Sequence, residues 1–292
     1  SCLETNEKSF MRSLCLGYIE EDLILPFPKM KTEDAEVLRG VVDALGTTYK
    51  DRDHEYRTWD RAGDLPPEAI EEMKGLGLFS LIIPEEFGGM GMNASAYSRT
   101  LQELSKYNGS IAITAGAHSS IGMRALLLYG TEEQRAQFYP KLATGEMIAA
   151  FCLTEPGAGS DAAAIKTKAV RDGDDWILNG QKLWITNGGI AGFYTVFART
   201  DGPEGHVTAF IVTRDMAGVS TGPHEDKMGL RASNTTTVMF DNVRVPAKYV
   251  LGEVGKGFKV AMNVLNSGRT GLGGGCTGST KRLIEMTAKQ CK

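Results

Sequence analysis

The spacing of apolar residues changes near residue 147, and this change limits the folds that the chain can adopt. Before it, apolar residues recur at helical spacing, as Val37, Val41 and Leu45 do. Between Met147 and Pro246, short apolar runs alternate with turn residues, which indicates strands. No long helical pattern interrupts these runs, so we predict an antiparallel sheet. The sequence therefore predicts an α+β fold, in which an N-terminal all-helical domain precedes an antiparallel β-sandwich or barrel domain and a helical stub.

These patterns divide the chain into four parts. We expect an N-terminal arm over residues 1–31, a helical domain over 32–146, a β domain over 147–247 and a helical segment over 248–292. Glycines and prolines mark the turns inside each part.

Two helices have unusual composition. The run 110–129 is the most apolar part of the chain, but it contains an arginine and several serines, so we predict a buried core helix and not a membrane span. The last part predicts a helix over 257–265 that is interrupted by Gly271 and the glycines 273–275 and resumes over 277–289.

Two strand predictions bear on the site. Residues 149–153 form a short apolar strand that leads into a Pro- and Gly-containing loop. Residues 176–185 contain an Asn-Gly pair between two apolar runs, which predicts a β-hairpin with a type I′ turn at Asn179 and Gly180.

Composition argues against several classes of protein. A net charge of −4 disfavours a nucleic-acid-binding or anionic-membrane-binding protein, because both normally carry a basic excess. The four histidines are scattered and the cysteines lack metal-ligand spacing, so we expect no metal site. We expect free thiols in a reducing compartment, and the N-terminus predicts no secretory signal. The cysteines are Cys2, Cys15, Cys152, Cys276 and Cys291.

Two motifs carry the strongest functional signal: FCLTEPGAGSD at 151–161 and LWITNGG at 183–189. Each places glycines and hydroxyl side chains where an apolar run ends, and the second adds Trp184. Such strand ends suit a planar heterocycle with polar edges. The alternative interpretation is a pair of ordinary turns with a core tryptophan. A dinucleotide-binding βαβ unit is disfavoured, because Gly157-Ala158-Gly159 lacks the third glycine and no βαβ alternation surrounds it.

Together with MGLRASNT at 228–235, VRVP at 243–246 and LGEVGKGFKVAM at 251–262, these motifs resemble the acyl-CoA dehydrogenase family. SIAITAGAHSSIG and LNSGR resemble its very-long-chain branch. The resemblance implies an N-terminal helical domain, a middle β domain and a C-terminal four-helix domain, with FAD bound between the last two. It also implies α,β-dehydrogenation of long-chain fatty acyl-CoA in fatty-acid β-oxidation, with a glutamate as the base. Electrons would pass to an electron-transferring flavoprotein, and the protein would be a homo-oligomer.

The resemblance also assigns site residues. It implies that Ser160, Asn266 and Arg269 contact the acyl-CoA. The implied cofactor-binding residues are Phe151, Leu153, Thr154, Gly159, Ser160, Trp184, Ile185 and Thr186.

The chain departs from the family at the catalytic base. In most members that glutamate lies in the C-terminal helical domain, which we expect to be missing here. In a minority it precedes the matching arginine, where this chain has Gly268. We therefore expect no catalytic residue in this chain and a truncated closing helix. Three interpretations remain open: a fragment of a longer dehydrogenase, a short non-catalytic acyl-CoA or flavin binder, or an enzyme completed by a second chain that supplies the missing helices.

Three residues with titratable side chains have structural interpretations. We expect His118 to be a core or pocket-lining histidine, Arg231 to form ion pairs, and Glu155 to make a backbone or salt-bridge contact. The bacterial cytoplasm is the expected compartment, with the mitochondrial matrix as the alternative for a processed eukaryotic protein.

Overall fold

The structure is a computed structural model that describes residues 9–27, 29–200 and 205–291. Residues 1–8 and Pro28 of the predicted arm, and Cys2 with them, lie outside the described residues. The helices before the sheet are α1 (Phe10–Cys15), α2 (Thr32–Tyr49), α3 (Asp53–Ala62), α4 (Pro67–Gly75), α5 (Ala94–Tyr107), α6 (Gly109–Ala117), α7 (Arg124–Tyr129) and α8 (Glu132–Thr144).

Local chemistry fixes several of these helix ends. Asn93 caps α5 by accepting a hydrogen bond from the backbone N–H of Ala96. Thr131 and Gln134 form a reciprocal capping box at the start of α8, and Gly145 ends that helix in a left-handed conformation (φ 73°).

The apolar run 110–129 is buried as predicted, but it is not one regular helix. A π-helical turn, His118–Gly122, separates α6 from α7. A Cβ atom at Gly122 would lie 2.7 Å from the carbonyl carbon of Ala149, so glycine lets the first strand approach closely. By length and composition Gly109–Tyr129 could cross a membrane, but most of it is buried against the rest of the protein, as in a core helix.

The β domain is one sheet with the strand order β6-β7-β3-β2-β4-β5-β8, and β1 pairs with β4 outside this path. The strands are β1 (Ala149–Cys152), β2 (Lys168–Asp172), β3 (Asp175–Thr186), β4 (Phe193–Arg199), β5 (Val207–Thr213), β6 (Val219–His224), β7 (Thr235–Val245) and β8 (Val250–Leu251).

The sheet is mixed, which corrects the prediction of a wholly antiparallel one. β1 runs parallel to β4 over four residue pairs, and β2 meets β4 in a single parallel pair. The prediction failed because β2 and β3 themselves form the crossover between β1 and β4, so no helix is needed for a parallel pairing.

The sheet folds over on itself, as the predicted sandwich or barrel requires. Trp176 of β3 and Phe210 of β5 are in edge contact with ring centroids 5.7 Å apart, although two strands lie between them in the sheet. Alternate residues of β4 face the opposite side of the sheet. There, Phe193 contacts Phe138 of α8, with ring centroids 5.2 Å apart. The sheet thus encloses one core and shares a second with the helices.

The predicted hairpin at Asn179 and Gly180 is wrong. β3 runs through both residues, with an irregular register opposite β7 between Leu178 and Gly180. A Cβ atom at Gly180 would lie 2.5 Å from Oγ1 of Thr167, so this glycine permits close packing and does not form a turn.

The closing helix α9 (Gly257–Gln290) is continuous, which corrects the predicted interruption at its glycines. Gly271, Gly274 and Gly278 lie against α5. A Cβ atom at Gly278 would lie 1.8 Å from the carbonyl oxygen of Gln102. The glycines therefore allow two helix backbones to approach closely instead of ending the helix.

Candidate functional site

A cleft of about 500 Å³ lies between the β domain and the first half of α9. All eight residues predicted to bind a cofactor line it, together with Arg269. The cleft is lined by Ile121, Phe151, Leu153, Thr154, Gly159, Ser160, Asp161, Ala162, Ala163, Trp184, Ile185, Thr186, Phe258, Met262, Leu265 and Arg269.

A backbone hydrogen bond brings the two sequence motifs together. The N–H of Leu183 donates to the carbonyl oxygen of Thr154 at 2.9 Å. Between Lys182 and Ile185 the register of β3 against β7 shifts, so two residues of β3 oppose one of β7. Trp184 lies in this bulge with φ 56°, which is unusual for a bulky residue, and its side chain is 61% exposed at the cleft.

Three hydroxyl groups line the cleft without hydrogen-bond partners among the described residues. They belong to Thr154, Ser160 and Thr186, and each can both donate and accept. Apolar side chains of Phe151, Leu153 and Ile185 lie beside them. A flat apolar group with polar edges fits this arrangement, because its faces and its edges would both be satisfied.

Glycine in the first motif could serve an unusual backbone conformation or the close approach of a ligand, and the structure excludes only the first of these roles. Neither Gly157 nor Gly159 has a left-handed backbone, and no protein atom lies within 4 Å of a Cβ atom built on either residue. Contacts within the protein therefore do not require glycine there. Gly159 lines the cleft, where the absence of a side chain leaves room for a ligand.

The other wall of the cleft is the first half of α9. Phe258, Met262 and Leu265 present an apolar stripe, and Arg269 follows one turn later. Asn266 does not line the cleft. Its Oδ1 accepts a hydrogen bond from Nη1 of Arg269, so Asn266 supports the arginine side chain.

An apolar channel of about 290 Å³ adjoins the cleft between α5, α6 and α9. Ile121, Thr186, Leu265 and Arg269 line both spaces, so the channel begins where the cleft ends. Of the glycines that bring α9 close to α5, Gly271 also lines it. The channel is lined by Leu101, Ser105, Ala112, Ile113, Gly116, Ala117, Ser120, Ile121, Thr186, Leu265, Gly268, Arg269, Gly271, Leu272 and Gly275.

Carboxylates are scarce around both spaces. Asp161 is the one acidic residue among those that line the cleft and channel in the described part of the chain. Gly268 faces the channel, and a Cβ atom there would lie 3.0 Å from Cγ2 of Ile121. Gly268, one of the two positions where the resemblance implies a base, therefore lies in the channel next to Arg269, which lines both spaces, but it carries no acidic group. Within the described residues, no group of acidic, histidine or cysteine side chains could hold a metal ion.

The structural interpretations of His118 and Arg231 are confirmed. His118 is fully buried, with Nε2 3.0 Å from the carbonyl oxygen of Phe79 and Nδ1 accepting from the N–H of Ala149 at 2.9 Å. Burial lowers the pKa of His118 to about 4, so it is neutral at pH 7. Arg231 pairs with Asp226 and donates from Nε to the carbonyl oxygen of Asp60.

Glu155 is also structural. Its Oε1 lies 2.6 Å from Nζ of Lys182, which is buried with it, and both carboxylate oxygens accept backbone N–H bonds. Burial alone would raise the pKa of Glu155, but Lys182 and the N–H donors lower it below its usual value.

On the α9 side of the cleft, the sequence analysis named Arg269 but not the apolar residues that line the cleft with it. Phe258, Met262 and Leu265 recur at helical spacing, which indicates an apolar face of the helix but not which part of the protein packs against it. The channel glycines could have been recognised from their spacing of three and four residues, which places them on one side of a helix. Asp161, Ala162 and Ala163 directly follow the first motif and carry no separate signal.

Comparison with known proteins agrees with this architecture. Residues 32–146 match the family model for the acyl-CoA dehydrogenase N-terminal domain, and residues 150–243 match that for the middle domain. The chain is 42% identical over 296 residues to the mitochondrial very long-chain specific acyl-CoA dehydrogenase of Homo sapiens, covering 96% of this chain and 44% of that protein. It is 37% identical over 235 residues to an acyl-CoA dehydrogenase of Bacillus subtilis, covering 80% of this chain and 62% of the relative.

Solved structures show the same likeness. Butyryl-CoA dehydrogenase from Megasphaera elsdenii matches with a TM-score of 0.83 and 35% identity, over 90% of this chain and 69% of that one. The Bacillus anthracis acyl-CoA dehydrogenase complexed with FAD matches with a TM-score of 0.78 and 39% identity, over 89% and 44%. The chain spans less than half the length of the very-long-chain relatives that it matches. On the strength of both domain matches and these similarities in sequence and structure, the chain belongs to the acyl-CoA dehydrogenase family.

Proposed function

We propose that the chain binds FAD in the cleft and that its family role is the α,β-dehydrogenation of long-chain fatty acyl-CoA in fatty-acid β-oxidation. The observation that carries the proposal is the meeting of three separate segments, 151–163, 184–186 and 258–269, around one cleft that opens into an apolar channel. When bound there, FAD supplies a two-electron acceptor for the β-hydrogen of the acyl chain. The related Bacillus anthracis enzyme was solved with FAD.

The cleft residues have complementary roles in this proposal. Trp184 covers one flat face of the flavin, while Phe151, Leu153 and Ile185 exclude water from it. The hydroxyls of Thr154 and Thr186 bind polar ring edges, and the open backbone at Gly159 permits close approach. A hydrogen bond to a flavin edge favours the electron-rich reduced ring, so these hydroxyls also tune its potential.

The substrate contacts follow from the same geometry. The acyl chain occupies the apolar channel, whose side chains match its hydrophobic surface. Arg269, held by Asn266, lies where cleft and channel meet, which places a positive charge near the thioester end of the chain. Ser160, exposed at the cleft mouth, binds the CoA portion.

Proton abstraction requires a group that these spaces lack. Removal of an α-proton needs a base within hydrogen-bond reach, and Gly268 supplies none. We therefore propose that the 292 residues bind FAD and acyl-CoA and turn over only when a carboxylate is provided, by further helices of the same protein or by a second chain. A non-catalytic acyl-CoA or flavin binder derived from the family is the alternative, and the missing carboxylate favours it.

We infer the partners and the cellular compartment of this chain from its family. An active form passes electrons to an electron-transferring flavoprotein. Leu272, Leu283 and Ile284 leave apolar surface exposed on α9, which favours homo-oligomer formation. The relatives include Bacillus subtilis and mitochondrial proteins, so the bacterial cytoplasm, or the mitochondrial matrix for a processed eukaryotic form, is the proposed compartment.

Flavin absorbance tests the proposal. We expect the purified chain to take up FAD and turn yellow, and to stay yellow when a long-chain acyl-CoA is added without oxygen. Gly268→Glu places a carboxylate at the junction of cleft and channel, so this variant should bleach on the same addition. Gly268→Gln has a similar size but no basic group, and it should not bleach.

Three results separate the alternatives. A chain that never takes up FAD contradicts the proposal. Uptake of FAD without bleaching in Gly268→Glu, combined with acyl-CoA binding by calorimetry, favours the non-catalytic binder. Bleaching of the unmodified chain shows that another group, such as Asp161, acts as the base.

A further inference from the structure

One wall of the cleft is an irregular loop whose shape needs an explanation. The cleft loop, residues 155–166, lies between β1 and β2, and its only regular element is a short 3₁₀ turn, Ala162–Ala164. Gly159 to Ala163 of this loop line the cleft. Exposed loops of this kind ordinarily fluctuate, so a preformed wall requires specific anchors.

Glu155 joins the two ends of the cleft loop. Its Oε2 accepts from the N–H of Lys166 at 2.5 Å and its Oε1 from the N–H of Thr167 at 3.0 Å. Its own backbone makes two 3.1 Å hydrogen bonds with Ala158, which shape the tight turn through Gly157. One side chain therefore closes the loop at its base and fixes its first turn.

Lys182 ties this closure to both motifs. Its Nζ donates to Oε1 of Glu155 at 2.6 Å and to the carbonyl oxygen of Leu153 at 3.2 Å, and the lysine is completely buried. Lys182 lies on β3 just before the bulge that holds Trp184. A buried charge pair with its remaining donors and acceptors satisfied fixes geometry more firmly than an exposed pair, because neither partner can exchange it for water.

Arg199 provides a second anchor at the other end of the cleft loop. Its guanidinium donates from Nε to the carbonyl oxygen of Ile165 at 2.7 Å, and from Nη2 to that of Ala163. Ala163 is the last residue of the loop that lines the cleft, and Ile165 lies two residues beyond it.

We infer that Glu155 is a positioning residue for the cleft: through Lys182 it holds the cleft loop, and hence Thr154 and Ser160, in register with Trp184, with Arg199 as the second anchor. The ligand part of this inference rests on the proposed function; the loop part does not. Glu155 does not line the cleft and acts through the residues that it holds.

Hydrogen exchange of the full chain, without added flavin, tests the loop part. Glu155→Gln keeps the size of the side chain but removes the charge that Lys182 and two N–H groups bind. We expect amides of the cleft loop and Thr167 to exchange about tenfold faster, while those of β4 and β5 keep their rates. FAD titration followed by flavin fluorescence should show about tenfold weaker binding. Asp172→Asn, which breaks an exposed ion pair with Arg244 in the same domain, is the matched control and should change neither quantity.

Two outcomes overturn the inference. Exchange of the cleft loop at the unmodified rate shows that Glu155 does not hold it, and equal acceleration in β4 and β5 shows a role in global stability only. If Glu155→Gln does not fold, Arg199→Gln decides in the same assay: acceleration confined to the loop supports the inference, and unchanged rates overturn it. An unmodified chain that binds no FAD refutes the proposed function, while the exchange rates still decide the role of Glu155.

Discussion

Trp184 combines a strained backbone with a mostly exposed side chain, so its identity is not explained by folding. A non-glycine residue in the left-handed region costs on the order of 1 kcal/mol, and an indole that is 61% exposed recovers little of it by burial. We expect Trp184→Gly to unfold at the same or a higher urea concentration than the unmodified chain, while FAD binding weakens about tenfold through loss of the aromatic contact.

Asn242 provides the control for this experiment. It has a similar backbone (φ 52°), and it lies on β7, away from the residues that line the cleft. Asn242→Gly should leave FAD binding unchanged. A Trp184→Gly variant that binds FAD normally would show that the tryptophan is not part of the flavin site.

His118 should make stability depend on pH. In the folded chain its pKa is about 4, against an ordinary value of 6.5, so only the unfolded state binds a proton between these values. The contribution is fully present above pH 6.5 and falls by about 1.4 kcal/mol per pH unit down to pH 4, a total of about 3 kcal/mol.

Urea unfolding at several pH values measures this effect. The difference in unfolding free energy between the unmodified chain and His118→Gln should shrink as the pH falls from 6.5 to 4. A constant difference for His118→Gln would contradict the burial argument.

At the scale of single residues, the sequence predicted which residues line the site better than it predicted the contacts that hold them in place. Thr154, Trp184 and Thr186 follow strand-like runs in recognisable motifs, and the structure brings them to one cleft. A salt bridge of Glu155 was expected, but Lys182 as its partner was not predictable, because no spacing rule pairs a loop residue with a strand residue 27 positions later. Only the folded sheet places them side by side.

At the scale of elements, the glycines of α9 show how propensity and packing compete. Each glycine weakens an isolated helix by about 1 kcal/mol relative to alanine, which is why their cluster predicted an interruption. In the structure, a Cβ atom added at Gly271 would lie 2.7 Å from Cε1 of Tyr97, so the close packing of α9 against α5 requires small residues there. Packing stabilises a helix that local preference alone would break.

This competition gives a paired prediction. Gly278→Ala places a Cβ atom 1.8 Å from the carbonyl oxygen of Gln102 and should lower the unfolding free energy by about 1–3 kcal/mol through overpacking. Gly273→Ala meets no atom within 4 Å and should raise it by up to about 1 kcal/mol through helix propensity. Chemical denaturation measures both, and equal effects of the two substitutions would contradict the close contact of α5 and α9.

The parallel pairing of β1 with β4 marks another limit of local pattern. Strand content and most strand positions follow from apolar runs, as in Phe193–Arg199 and Val207–Thr213. The direction of a strand depends on the path of the chain that leads into it. Nothing in the sequence indicated that β2 and β3 would lead the chain back to pair β4 in parallel with β1.

At the scale of the whole molecule, buried polar contacts join the helical and β domains. Nδ2 of Asn187 donates to the carbonyl oxygens of Thr114 at 3.0 Å and Ala149 at 3.3 Å, and Nε2 of Gln134 reaches those of Lys248 and Val250. Unfolding of one domain alone would break these contacts and expose the apolar core that the two domains share.

We therefore expect both domains to unfold together. In a Trp59→Phe/Trp184→Phe variant, fluorescence reports only Trp176 in the β core, and far-UV circular dichroism reports mainly the helices. The two signals should change over the same range of urea concentration. Separate midpoints would show that the domains fold independently of these contacts.

The length of α9 has a mechanical consequence. One uninterrupted rod carries Arg269 at the cleft and Met286 near its exposed outer end, about 25 Å further along its axis. A protein that binds the outer end of α9 would apply a torque about the contact of α9 with α5, and would thereby tilt the side of the cleft that bears Arg269.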